Sequence, residues 1–259
     1  MKFGIEWDPD CSISIDERAR LMKKNGFDVT FVGLENENFD EILAILKKHD
    51  ILCENCHAPF DGINHMWVAG EAGDRMLERL CKCVDDCARN GIATLVVHLS
   101  SGWNPPRMND IGFERYDRLM RHADEKGVTI AYENIRRLDN VAYALGNYAQ
   151  AGFCWDVGHE ACYTGDIEFM PLFGRRMVAI HLHDNNALRG EDLHLLPYDG
   201  KVDMERAAKH FAKSGYQGAL MLEVTRKTAR MDSFEAFYAK ARSVAERFAS
   251  RVEAFRNEE

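Results

Sequence analysis

The sequence predicts a single (β/α)8 TIM barrel spanning residues 1–259. Short β-rich runs alternate with amphipathic helical segments from one end of the chain to the other. The runs are apolar along their length and polar only at their C-terminal ends, as in a parallel sheet covered on both faces. The length of 259 residues suits such a barrel, which commonly takes about 250. No Pro- or Gly-rich linker or low-complexity stretch marks a second domain. A doubly wound open sheet would hold its ligand at one switch point, whereas polar residues here close at least six strands.

Strands are expected at 2–7, 28–34, 51–57, 93–99, 128–134, 152–157, 177–183 and 219–224. Helices are expected at 14–25, 38–49, 71–90, 110–126, 138–149, 166–174, 203–214 and 232–255. The first strand, KFGIEW, begins at once, with no charged-then-apolar leader before it. Gly26, Gly91, Gly127 and Gly215 end four of the helices and release the chain into the next strand. The third and fourth strands run into His57 (ILCENCHAPF) and His98 (ATLVVHLS). The loops that follow, 58–70 and 100–109, carry Trp67 and Trp103, and loops after barrel strands form the mouth, so these aromatics either wall a substrate or pack a loop onto the barrel. The fifth strand, VTIAYEN, ends at Glu133, and the sixth, FCWDVGH, at Asp156 and His159. The seventh, VAIHLHD, ends at His181, His183 and Asp184, and the eighth, ALMLEV, at Glu223. Residues 184–203 make a long connection holding Asp192 and His194. The last helix carries a stripe through Phe234, Phe237, Tyr238, Ala241, Val244, Ala245 and Phe248 that packs on the barrel.

Hydrophobic residues at 46% and charged residues at 29% allow one ample core. The balance of 33 Lys and Arg against 42 Asp and Glu leaves a net charge of −9, which argues against a nucleic-acid or anionic membrane surface. No stretch approaches the roughly 20 apolar residues of a membrane span, so a soluble, cytoplasmic protein is expected. Eight cysteines give one C-x-x-C pair, Cys53 and Cys56, inside a strand, while Cys81, Cys83 and Cys87 share a helix. That usage predicts reduced, buried thiols, not a disulfide or zinc-finger framework.

A carboxylate at the exit of an apolar strand costs several kcal/mol if it is desolvated alone, and a cation is the usual remedy. Glu133, Asp156, His181 and Glu223 form a mostly oxygen donor set suited to Mn²⁺, Mg²⁺, Co²⁺ or Zn²⁺. The alternative is a rim of ion pairs to Arg136, Arg137 and Arg226. His159, three residues beyond Asp156, faces the same cavity as a ligand or a substrate contact. His181 is expected innermost, with His183 further out. His57 and His98 are candidates for a second metal or for substrate hydroxyls, and Asp192 and His194, two apart, suit a shared ligand. His49, His122 and His210 lie in helices and read as surface residues.

The motifs YEN, DVGH, IHLHDN and LEV, in this order, resemble the xylose isomerase-like barrel superfamily of sugar isomerases, sugar 3-epimerases and endonuclease IV. The resemblance covers roughly residues 50 to 230. It implies one divalent metal on Glu133, Asp156, His181 and Glu223, with the two glutamates as an acid–base pair and His159 touching substrate. The sequence therefore points to a metal-dependent isomerase or epimerase of a sugar, or of a sugar-like polyol or keto acid. The ion would chelate neighbouring carbonyl and hydroxyl oxygens and stabilise an enediolate, while one glutamate removes a proton and the other returns it. His159 and Arg189 would orient hydroxyls, with His57, His98 and Trp103 also facing substrate. No glycine-rich phosphate cradle follows the late strands, which favours an unphosphorylated substrate. A homo-oligomer is compatible with this reading.

The endonuclease IV branch implies instead two or three zinc ions, with His57, His98, His159, Asp192 and His194 as further ligands, and phosphodiester hydrolysis or another hydrolase or lyase reaction. The acidic balance and the lack of basic side chains in residues 58–70, His65 apart, oppose a DNA-gripping surface. An intact glutamate pair argues against a barrel that only binds.

Overall fold

A computed structural model describes residues 1–165 and 167–258. All eight expected strands form: β1 Phe3–Glu6, β2 Val29–Gly33, β3 Leu52–His57, β4 Thr94–Val97, β5 Thr129–Glu133, β6 Gly152–Asp156, β7 Met177–His181 and β8 Leu220–Leu222. They pair in the order β7-β6-β5-β4-β3-β2-β1-β8, each pair parallel. Just past β7, Leu182 bridges Leu222, and the Leu182 amide donates to the Met221 carbonyl at 2.9 Å. The two edges therefore meet, and the sheet closes into a (β/α)8 barrel.

The helices that cover it begin where short polar side chains can cap them. Ser14, Asn109, Asp203 and Ser233 each accept a hydrogen bond from the amide three residues on. The helix Asp110–Lys126 ends on Gly127, whose φ of 70° is open to glycine and costly to other residues. One expectation shortens. In place of 166–174 the chain forms the single turn Met170–Phe173. Pro171, which lacks an N–H, fits only the first turn of a helix, so no helix can run through it from upstream. Asp166, the first position of that expected helix, lies outside the described residues.

Side chains two apart on a strand share a face. Val96, Ala131, Cys154 and Ala179 lie two residues before His98, Glu133, Asp156 and His181, and they form a separate buried cluster from β4 to β7. Small residues thus floor the barrel directly beneath the polar strand ends. The larger core lies between the strands and the helices.

The two mouth tryptophans part company. Trp67 is buried, donates its indole N–H to the Leu99 carbonyl at 2.7 Å, and fills the space left by the missing side chain of Gly112. It packs a loop onto the barrel and walls no substrate, whereas Trp103 is 46% exposed. His49, His122 and His210 pair with Asp16, Asp85 and Glu168 at 2.8, 3.0 and 3.2 Å, away from the strand ends. All eight cysteines are free, but Cys11 is exposed, since it sits in the loop after β1 and not in a strand or helix. Among the described residues no helix is long and apolar enough to cross a membrane.

Ala131→Leu would overfill the floor beneath Glu133. The expected outcome is a loss of about 1–3 kcal/mol in urea unfolding, at unchanged slope. An unchanged midpoint would mean that the floor contains a void.

Candidate metal centre

Ten side chains converge at the C-terminal ends of β3 to β8 as three groups of donors: His57, His98 and Glu133; Glu133, Asp156, His181 and Glu223; and His159, His183, Asp192 and His194. Glu133 belongs to two of them. Its Oε2 lies 3.1 Å from His57 Nε2 and 2.8 Å from His98 Nε2. Its Oε1 lies 3.1 Å from His181 Nδ1 and 3.3 Å from His159 Nδ1. Glu223 faces it across the mouth, with Oε1 3.4 Å from His181 Nδ1. Asp192 holds His159 Nε2 at 3.0 Å and His194 Nε2 at 3.3 Å. All nine ligand candidates from the sequence are therefore brought together.

His183 lies in a different donor group from His181 and is fully buried. Its Nε2 lies 3.0 Å from Asp156 Oδ1, and its ring stacks on His194 at 4.0 Å. Gly158 makes this possible, because a methyl there would overlap the His183 ring. That steric fact explains the glycine within DVGH.

Other motif residues hold the ligands in place. Asn134 exchanges two 2.8 Å hydrogen bonds with the Asp156 backbone, joining the ends of β5 and β6. Asp184, fully buried, accepts hydrogen bonds from the amides of Asn185, Tyr198, Gly200 and Val202. It thereby folds the loop that presents Asp192 and His194. His194 itself adopts φ 47°, a left-handed conformation that costs a non-glycine residue of order 1 kcal/mol or more. Glu6 closes β1 at the same mouth, and burial pushes its carboxyl up to about 7 against the pull of His194. Its signal in the sequence is plain, since KFGIEW is one more apolar run ending in a carboxylate.

The rim of ion pairs does not form. Arg137 and Arg226 are taken by the nearer Asp139 and Asp10, each at 2.5 Å, and Arg136 lies over the rings of Trp103 and Tyr163. Arg189 also lies over Trp103, exposed and outside the three donor groups.

Imidazoles and protons balance the buried charge instead. Burial opposes charge on Glu133, yet His181, His98 and His159 hold its carboxyl well below the usual carboxylate range. Burial and the Asp156 and Glu133 carboxylates push Glu223 well above it. Burial likewise opposes charge on His194, but Asp192 raises it to about 9. Burial lowers His98 to about 4.

The donors suit a divalent cation. Oxygen and imidazole ligands with no thiolate favour Mn²⁺, Zn²⁺ and similar ions. Two buried carboxylate atoms of these groups, Asp192 Oδ1 and Glu223 Oε2, make no hydrogen bond, and a cation would satisfy such atoms.

Comparison with known proteins agrees with this architecture. The family model described as xylose isomerase-like TIM barrel matches residues 15–246. An uncharacterized protein, y4fM, of Sinorhizobium fredii is 28% identical over 198 residues, covering 70% of this chain. The chain spans 62% of that relative's length. A structure of L-ribulose 3-epimerase superposes with a TM-score of 0.76 at 14% identity, over 100% of this chain and 97% of the other. The IOLI protein, in a crystal structure with a zinc atom, gives 0.73 at 14% identity, over 98% of this chain and 99% of that one.

His159, His194 and Glu223 are held above their ordinary values, and each must lose any proton it carries before it binds a cation. Loading Mn²⁺ or Zn²⁺ should therefore release protons. Apparent affinity should climb with pH until His194 deprotonates at about 9. Calorimetric titration in buffers of different ionisation enthalpy measures both effects. Metal binding without proton release would show that these groups are not the ligands.

Proposed function

The chain belongs to the xylose isomerase-like TIM barrel family, and we propose that it is a divalent-metal-dependent isomerase or epimerase of a sugar or sugar-like substrate. The observation that carries this reading is the pair Glu133 and Glu223, both buried in one donor group with their Oε1 atoms 3.1 and 3.4 Å from the same His181 Nδ1. Two carboxyls held beside one ion are suited to act as base and acid toward a substrate bound there. Glu133, Asp156, His181 and Glu223 would hold the ion. A bound divalent ion supplies Lewis acidity, polarising a carbonyl and its neighbouring hydroxyl and acidifying the C–H beside them. One of Glu133 and Glu223 takes the proton from that carbon and the other returns one. Return to the same carbon on the opposite face inverts it; return to the neighbouring carbon isomerises the sugar. His159 orients a substrate hydroxyl, and the apolar floor at Ala131 and Cys154 keeps bulk water from the proton in transit.

One observation supports a second reading. Glu133 turns each oxygen to a different donor group, the arrangement of a carboxylate shared by two ions, and multi-ion centres serve phosphoester hydrolysis.

The test is carbon-bound deuterium. Incubation of the metal-loaded protein with a panel of ketoses in D₂O should place deuterium beside the carbonyl, read by NMR. Glu223→Gln should cut that exchange by about 10²–10⁴-fold with circular dichroism unchanged. Exchange undiminished in the variant would remove Glu223 from the chemistry. Cleavage of an abasic-site DNA duplex without any deuterium uptake would favour the hydrolase.

A further inference from the structure

Outside the donor groups, four consecutive loops each send one side chain to a single spot on the rim. Trp103 follows β4, Arg136 follows β5, Tyr163 follows β6 and Arg189 follows β7. The Arg136 guanidinium carbon lies 5.2 Å from the Trp103 ring centre and 3.8 Å from that of Tyr163. The Arg189 guanidinium lies 4.7 Å from the same Trp103 ring. Trp103 and Tyr163 meet edge to face at 5.6 Å. The Tyr163 hydroxyl donates to Asp192 Oδ2 at 3.1 Å, which ties this spot to the donor groups. Gly190 allows the approach, since a Cβ there would lie 3.2 Å from Trp103 Cζ2.

Stacking holds a guanidinium by its face and leaves its N–H edge free. Among the described residues neither arginine has a hydrogen bond or an ion pair, and Arg136 Nε is buried without one. Asp192, which accepts from Tyr163, is already engaged by His159 and His194 as well. Two like charges gathered on one indole repel each other until an anion lies between them. A group with several equivalent oxygens matches two guanidinium forks, as carboxylate and phosphate do.

We propose that Trp103, Arg136, Tyr163 and Arg189 clamp a carboxylate or phosphate group on the substrate, at the end remote from the reacting carbon. The inference rests on the sugar reading above and names the substrate class within it: an acidic sugar derivative. Trp103 then serves as a stand for the two cations, not as a bare wall for a sugar ring. The missing glycine-rich cradle excludes only a phosphate site built from backbone amides. Here side chains make the site.

The experiment compares xylitol, xylonate and xylitol 5-phosphate as ligands of the Mn²⁺-loaded protein by calorimetry, alongside inorganic phosphate. In the wild type at least one charged polyol should bind about tenfold or more tightly than xylitol, and the larger advantage identifies carboxylate or phosphate as the group recognised. In Arg136→Gln/Arg189→Gln that ratio should fall toward one, and inorganic phosphate should bind about tenfold more weakly. Arg189→Gln alone, at an exposed position, should lose part of the ratio and guards against misfolding of the double variant. An advantage that survives in the double variant, or none in the wild type, overturns the clamp. Failure of all three polyols to bind would count against the sugar reading; the phosphate arm would still decide the clamp on its own, with equal affinity in wild type and variant overturning it.

Discussion

Three carboxylates buried in one barrel mouth, Glu133, Asp156 and Glu223, set the terms for everything around them. A lone carboxylate desolvated to this degree would cost several kcal/mol. Glu133 and Asp156 keep their charge because His57, His98, His159, His181 and His183 surround them. Burial and the Asp156 and Glu133 carboxylates push Glu223 above the ordinary carboxylate range. This is charge balance by protons and imidazoles, and a divalent cation would balance the same site with the protons released. The donor atoms of each group thus lie within 4.8 Å of one another, held there by the protein itself.

Preorganisation of that kind needs support from outside the donor set. Asn134 locks the end of β5 to the end of β6, and Asp184 gathers four amides so that the loop after β7 presents Asp192 and His194. Gly158 clears space for His183, and the small floor residues keep the strand ends close together. The left-handed backbone at His194 is strain that these contacts must offset. Replacing any of these supports would loosen donor positions without removing a donor.

The strand ends were legible in the sequence because an apolar run that stops at Glu, Asp or His is costly without a partner. Runs of this kind on most of the strands, separated by capped amphipathic helices, leave few folds to choose from, and each expected strand lies within two residues of its observed bounds. What remained hidden depended on contacts between distant segments. Trp67 and Trp103 look alike in their loops, and only the space above Gly112 in the helix Asp110–Lys126 buries the first. His183 lies past the end of β7, where strand parity no longer fixes direction, so its place beside His194 could not be read. Arg136 and Arg137 are adjacent and chemically alike. The first has aromatic rings from two other loops beneath it, and the second has Asp139 beside it. Glu6 carries the same signal, an apolar run ending in a carboxylate, but its run stands apart from the cluster of motifs between residues 133 and 223.

The claim on which all of this depends is that the mouth binds a divalent metal. Plasma emission spectrometry on the purified protein, with Asp156→Ala and His181→Ala alongside, tests it most directly. The account predicts at least one Mn²⁺, Co²⁺, Mg²⁺ or Zn²⁺ per chain, lost in both variants; one ion would favour proton transfer, and two or three zinc ions would favour the hydrolase. No ion in the wild type as purified, and none taken up on dialysis against these metals, would contradict it and leave the buried carboxylates to their histidines alone.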